Sequence, residues 1–426
     1  MSRLFKNIGW LLGGRGINAV LSLVYLALAT RALGLEGFGY FAIIVALGQV
    51  VTGIASFQTW QFIGRWGAEK DGPAEATGFA IALDILSVIG GILLAAIITW
   101  TATLWLPLPE ELLWLTFGYC VISLLSIRST PTGLLRLRFQ FAKATGAEAV
   151  QPAIRAAGAI LAWFFMPTVT GFILAWAASE VAVAAALWIA ATRGEPIDLS
   201  QVSLTKIPAQ HRDAWRFVWS TNMSGSLTIA GKQGMILMVG AIGGEAFAGG
   251  FRVASQLGQA LIALAQAVSK AIYPELVDAK DNARLIASRM ANIALIGGVL
   301  AVLVALFAGR WGLETIAGED FGIVYWAMVI LSIAGAVELI GASLESLLVS
   351  AGRAHTAFFV RAGPTVLAFA LLSTAMDWNG LKGAAFAVLG SSSLAVIGFW
   401  IAILSLAQIR ITIEPEGDEP KEKPPA

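Results

Sequence analysis

The chain has 426 residues, of which 58% are hydrophobic and only 13% charged, and its formal net charge is +1. A soluble chain of this length carries roughly a quarter of its residues charged to cover its surface, so this one must present its outside to lipid. The near-zero charge, with no basic block interleaved with aromatics, argues against a nucleic-acid partner, and the lone Cys120 with the distant His211 and His355 leaves no disulfide and no Cys/His metal site.

Taken in order, twelve apolar segments are predicted, near 9–29, 40–62, 78–100, 112–128, 147–166, 170–192, 215–240, 250–272, 288–309, 321–346, 354–376 and 383–408. A span needs about 20 apolar residues. In lipid each backbone polar group must be paired within its own segment, so every segment reads as a helix. Arg3 and Lys6 before the first apolar run look like a secretory leader, but Arg15 and Asn18 interrupt that run and residues 215–240 offer a comparable helix. The first segment is therefore read as a retained span.

The fold class expected is an all-α polytopic membrane protein with about twelve transmembrane helices in two pseudo-symmetric six-helix bundles. Its domains are 1–192, a cytoplasmic linker at 193–214, a second bundle at 215–408, and a disordered tail at 409–426. The symmetry is visible in the letters. Arg31-Ala32-Leu33-Gly34-Leu35-Glu36-Gly37-Phe38-Gly39-Tyr40-Phe41 is echoed by Ala241-Ile242-Gly243-Gly244-Glu245-Ala246-Phe247-Ala248-Gly249-Gly250-Phe251, and Leu47-Gly48-Gln49 by Leu257-Gly258-Gln259. Matching Ala32 to Ala241 gives an offset of 209 residues, which one insertion turns into 210 by Leu47 and Leu257. Six spans per half give a parallel repeat with its axis along the membrane normal, a layout that places a cavity between the halves.

With both termini in the cytoplasm, 21 of the 28 lysines and arginines fall on the cytoplasmic side, Arg128 and Arg361 among them. Only Arg31, Arg310 and Lys382 fall outside. That is a strong positive-inside bias, and losing one span would destroy it.

Charges within spans mark function, because an isolated charge at the bilayer centre costs about 3 kcal/mol or more. They are Arg15, Asp84, Arg155, Glu180, Lys232, Arg252, Glu338 and Glu345. Arg15, Asn18, Ser22 and Tyr25 share one helical stripe; Thr221, Gly225, Thr228 and Lys232 share another, and the 210-residue offset makes the two stripes symmetry mates. Arg15 and Lys232 then lie about 10 Å apart in depth on equivalent faces. A cationic, hydroxyl-lined seam suits an anionic substrate, a phosphate first. The bland alternatives are snorkelling of Arg155 and Arg252 to headgroups, pairing of Arg15 and Lys232 with Asp84 or Glu180, and helix–helix hydrogen bonding by Glu338 and Glu345. Ser203-x-x-Lys206 and the sequon at Asn222 are chance matches in a linker and inside a span.

At Ala29-Thr30-Arg31-Ala32-Leu33-Gly34-Leu35-Glu36-Gly37-Phe38-Gly39 the chain resembles the polysaccharide transporter family of the multidrug/oligosaccharidyl-lipid/polysaccharide (MOP) exporter superfamily, which carries an Ala-Arg-x-Leu-Gly-x-x-x-Phe/Tyr-Gly signature after its first helix. Gly231-Lys232, Gly249-Gly250-Phe251-Arg252 and Tyr273-Pro274-Glu275-Leu276 are similar to its second-half motifs, with Gly231 standing for the family's acidic residue and Lys232 for its arginine. The resemblance implies a flippase, not an enzyme, in the bacterial inner membrane. It would move an undecaprenyl-diphosphate-linked oligosaccharide outward by alternating access for surface polysaccharide such as O-antigen, lipopolysaccharide or exopolysaccharide, alongside polymerase and export machinery. It further implies diphosphate contacts at Arg15, Arg155, Lys232 and Arg252 with Asn18 beside them, and gate residues Arg31 and Arg65. Asp84, Glu180, Glu338 and Glu345 would be ion-coupling carboxylates. No cofactor is implied; H⁺ or Na⁺ coupling stays open. The rivals are a multidrug or organic-cation antiporter of the same superfamily, which would want an acidic cavity, and a membrane-embedded polymerase or ligase, which would want a large outer loop.

Overall fold

The computed structural model describes residues 2–68, 72–193, 197–276, 283–350 and 353–413, with side chains left aside at 2–17, 72, 224, 228, 264–276, 283–294, 346–347, 349–350, 354 and 406–413. Among these residues every regular element is a helix, as expected of apolar segments whose backbone groups can be paired only within themselves. The helices are α1 (Ser2–Ala55), α2 (Thr59–Trp66), α3 (Gly72–Ala102), α4 (Leu113–Leu125), α5 (Ser129–Leu137), α6 (Phe141–Glu148), α7 (Val150–Phe165) and α8 (Val169–Thr192) in the first half. The second half holds α10 (Ala214–Gly243), α11 (Glu245–Leu276), α12 (Ala283–Phe307), α13 (Gly309–Ala317), α14 (Tyr325–Ser350) and α15 (Ala354–Ile413), after a five-residue α9 (Lys206–Gln210) in the connection.

Each predicted apolar segment falls mainly on helix, though 40–62 and 112–128 run across breaks at 56–58 and 126–128. Seven of the described helices are long and apolar enough to cross a membrane, or up to eight with the bent α12–α13 pair. Two of those stretches, Asn18–Trp66 and His355–Ser405, carry two predicted segments apiece around a break. Gly34 (φ 65°, ψ −172°) breaks the first, and Asn379 with Gly380 (φ 53°) the second. Only glycine takes such left-handed angles without strain. The α7–α8 connection is as tight as its sequence suggested: the Thr168 hydroxyl accepts from the Gly171 N–H and caps α8. Large apolar side chains such as Leu93, Ile97, Phe164, Val366 and Ile401 are exposed, as a lipid-facing surface requires.

The core lies between the halves. Phe38, Phe41, Ile44 and Leu47 of α1 are fully buried in one cluster with Val239 of α10, Ala248 and Ala254 of α11, and Met328 of α14. In the connection, Ile207 inserts among Phe62, Trp66 and Phe79, and Gln210 donates to Glu75 at 3.1 Å. The stretch 197–213 is thus laid across α2 and α3 rather than strung free. Helix α15 continues to Ile413, past the predicted boundary at 408; residues 414–426, the rest of the predicted tail, lie outside the described residues.

Candidate functional site

Two interruptions in the first half build the site. The helix containing α1 stops at Ala55 and restarts at Thr59; α4 stops at Leu125 and α5 starts at Ser129. The restarts lie against each other. The Trp60 N–H donates to the Ser129 hydroxyl at 3.1 Å, and the Thr59 and Thr130 hydroxyls stand 3.0 Å apart. Both hydroxyls serve Asp84 of α3, Thr59 at 3.4 Å and Thr130 more closely. The Phe57 N–H finds the Ser87 hydroxyl at 3.3 Å, and the Ile127 carbonyl accepts from the Trp188 indole at 3.0 Å. A break in lipid exposes backbone groups that must be re-satisfied, and α3 and α8 supply the partners. Asp84 also sits where two helix N-termini converge, a position that favours negative charge.

The breaks open a cavity of about 520 Å³ on the seam, walled by α1–α5 and α8 on one side and by Ile229, Lys232 and Gln233 of α10 on the other. Its size falls in the range of about 300–1,000 Å³ usual for ligand sites. Hydroxyls and amides line it, including Gln49, Thr52, Ser56, Gln58, Ser126 and Thr132. Three cations, Arg128, Arg136 and Lys232, face two carboxylates, Asp84 and Glu180.

These charges are not equally available. Glu180 is buried and held by Arg128 at 2.9 Å, Arg155 at 2.8 Å and the Gln151 amide at 3.0 Å. Arg155 also donates to Ser179 at 3.1 Å and stacks 3.6 Å over the Trp176 ring. Lys232 is exposed to the cavity, and no carboxylate lies within ion-pair reach of it among the described residues. The alternative pairing of Lys232 with Asp84 or Glu180 is absent there; Glu180 takes two arginines instead.

The other predicted residues scatter. Arg15 lies on α1, its side chain outside the described residues. Asn18 is half-buried on the same helix, and its carbonyl accepts from Ser22. Arg155 and Arg252 do not line the cavity. Arg252 is buried at 4% exposure and reaches from α11 into the first half, over Phe41 and Trp176, with its Nη1 3.5 Å from the Ala42 carbonyl. Neither side chain snorkels outward. Arg31 donates to the Thr315 carbonyl, joining the halves at the end that the charge bias assigns to the outside. Arg65, at the opposite end, pairs with Asp213 at 2.8 Å and lies over Trp66 and Phe217. Glu338 and Glu345 share Arg361, at 3.8 and 3.1 Å. Glu338 and Arg361 border a smaller cavity of about 160 Å³ in the second half, lined also by Gln259 and, once more, Lys232.

The end of the seam that the charge bias assigns to the outside is shut by the glycine repeat itself. A Cβ on Gly39 would stand 2.0 Å from the Glu245 carbonyl oxygen, and one on Gly249 would stand 2.9 Å from the backbone of Leu35 and Gly39. Gly244 (φ 88°, ψ 178°) repeats the backbone turn of Gly34, so the two breaks are alike in conformation as well as in letters. Small residues let helices approach this closely, and in lipid such packing is a principal source of association.

Comparison with known proteins gives this architecture a family. The polysaccharide biosynthesis protein family matches residues 4–280, well over half of the chain. The chain belongs to that family. Among curated relatives, the inner membrane protein YghQ of Escherichia coli strain K12 is 28% identical over 317 residues, which cover 71% of this chain and 88% of the relative. Solved structures show the same fold at low identity. The lipid II flippase MurJ in an inward closed conformation superposes with a TM-score of 0.71 at 12% identity, over 95% of this chain and 93% of MurJ. An inward-facing multidrug resistance MATE transporter of the MOP superfamily gives 0.68 at 16%, over 92% and 96%. The chain is a multi-pass membrane protein with the MOP fold.

In this family member, sequence reasoning missed the cavity's own arginines. Arg128 and Arg136 read as a basic cytoplasmic loop, because 112–128 looked like one whole span. The helix instead restarts at Ser129, so Arg128 sits inside the protein. The available signal was Ser129-Thr130-Pro131: capping residues followed by proline in the first turn, which is how a helix begins rather than how a loop continues. Arg361, likewise counted as cytoplasmic, is drawn inward by Glu345.

Proposed function

We propose that this chain is a flippase for a polyprenyl-diphosphate-linked oligosaccharide, moving it from the inner to the outer leaflet of a bacterial inner membrane for surface polysaccharide assembly. The observation that carries this reading is a hydroxyl-lined cavity on the seam whose cations outnumber its carboxylates, closed at the outer end by glycine-to-glycine contact. A diphosphate needs cations at depth, its sugars need hydroxyl and amide partners, and its prenyl chain can remain in lipid beside the seam. The family's description and the MurJ fold support the same class of cargo. Rocking of the halves that parts the glycine contact as the far mouth closes would expose the cavity first to one side and then to the other.

An organic-cation antiporter would need free acidic groups in the cavity; Asp84 and Glu180 are already engaged by hydroxyls and arginines. The deciding experiment is charge reversal, Lys232→Glu and Arg15→Glu, in a strain lacking its own copy of the gene. Surface polysaccharide should be lost while the protein remains in the membrane at normal level. Unimpaired polysaccharide with both reversals would overturn the reading.

A further inference from the structure

We propose that Arg128, Arg136 and Lys232 form the diphosphate subsite of the seam cavity, and that Glu180 is a resident counter-ion that releases Arg128 when the anion arrives. This rests on the reading above, that the cargo is a lipid diphosphate, and moves its recognition away from Arg155 and Arg252. Those two arginines stand behind the cavity wall, stacked on Trp176. The three lining cations are open to it: Lys232 and Arg136 are exposed, and the Arg128 side chain is 41% exposed. Arg136 lies 4.5 Å over the Trp60 ring with no carboxylate within ion-pair reach among the described residues. Two cations with no carboxylate in reach among the described residues and a third shared with a buried acid make an anion site.

The exchange at Glu180 follows from its partners. A buried carboxylate stripped of its cation is costly. Glu180 has two cations, and only one of them can leave. Arg155 is fixed by Ser179 and the Trp176 face as well as by Glu180, whereas Arg128 sits at the α4–α5 break with much of its side chain in the cavity. When a phosphate oxygen takes Arg128, Glu180 keeps Arg155 at 2.8 Å and Gln151 at 3.0 Å. The acid therefore competes with the ligand for one guanidinium and sets the affinity, which permits release on the far side.

The test is binding of undecaprenyl diphosphate to the full-length protein in lipid nanodiscs, with inorganic pyrophosphate as a separate probe and competitor. Arg128→Gln and Arg136→Gln should each weaken lipid binding about tenfold or more, the loss of one charge-assisted contact. Glu180→Gln should tighten it about tenfold, and the gain should vanish in Glu180→Gln combined with Arg128→Gln. Opposite signs at two ends of one ion pair are not what a purely structural pair would give. Glu180→Gln protein that is folded, judged by an unchanged melting profile, yet binds no tighter overturns the exchange. If Glu180→Gln does not fold, the exposed arginines decide: unchanged binding by both Arg128→Gln and Arg136→Gln overturns the subsite. If the wild-type protein binds neither probe, the lipid-diphosphate reading fails with it. If it binds pyrophosphate alone, the site takes a free anion and the cargo assignment fails. If it binds the lipid and the arginine variants match it, only the subsite fails.

Discussion

The two halves share a plan at one end and part company at the cavity. At the end assigned to the outside by the charge bias, Gly34 and Gly244 make the same turn, and Gly39 and Gly249 touch. Further down, Gln49 lines the larger cavity and its counterpart Gln259 the smaller. Then the first half breaks at 56–58 and at 126–128, while α11 and α14 run unbroken through the matching positions. At the 210-residue offset Arg128 corresponds to Glu338. In the first half that position is a cation answering Glu180; in the second it is a carboxylate answering Arg361. A duplicated scaffold has kept its seal and inverted its charge. The interrupted half offers about 520 Å³ and the continuous half about 160 Å³, so it is helix breaks, not side-chain size, that make room for cargo.

The largest effect should come from the shared seal. Gly39→Leu places side-chain atoms where the Glu245 carbonyl lies 2.0 Å from a Cβ, so the outer end cannot close. A cysteine at Ala42, in a Cys120→Ser background, should pass from protected to fully labelled by an impermeant maleimide added from outside; protection unchanged would show that the glycine contact is not the seal. Next comes the buried acid. Arg155→Met leaves Glu180 with one exposed arginine and should cost about 3–5 kcal/mol of stability, read as a large drop in the detergent melting temperature. Asp84→Ala leaves the Thr59 and Thr130 hydroxyls and two helix starts without their acceptor; a loss of about 1–3 kcal/mol is expected. The matched test in the second half is Glu338→Gln. Its side chain is 44% exposed and 3.8 Å from Arg361, so under about 1 kcal/mol should be lost. Equal losses at Asp84 and Glu338 would erase the contrast between the halves. Smallest is Asp213→Ala: the Arg65 pair is half-exposed on both sides, worth at most about 1 kcal/mol and less in high salt.

Much of this was legible beforehand. Composition fixed the solvent, hydropathy the helices, and the repeat the likeness of the two glycine-rich breaks, because each depends on local letters or on a simple offset. The charged residues were found, but their partners were not. Lys232 lines the cavity on the seam; Arg155 and Arg252, which the resemblance assigned to it, turn to Trp176. Whether an arginine faces a cavity or an indole depends on which helices cross at that depth, and no single-segment pattern records that. The helix breaks were hidden for a different reason: hydropathy averages over a window and passes smoothly across three residues such as Ser56-Phe57-Gln58.

The contact between Arg252 and the Ala42 carbonyl has a geometric consequence. Positions 42 and 252 are each other's counterparts at the 210-residue offset, as are 39 and 249, and a point can meet its own image only on the rotation axis. The dyad therefore threads the seal. Spectroscopic rulers spanning 39 and 249 should therefore lengthen when that end opens, while rulers set at the far mouth, from residue 61 to residue 219, shorten.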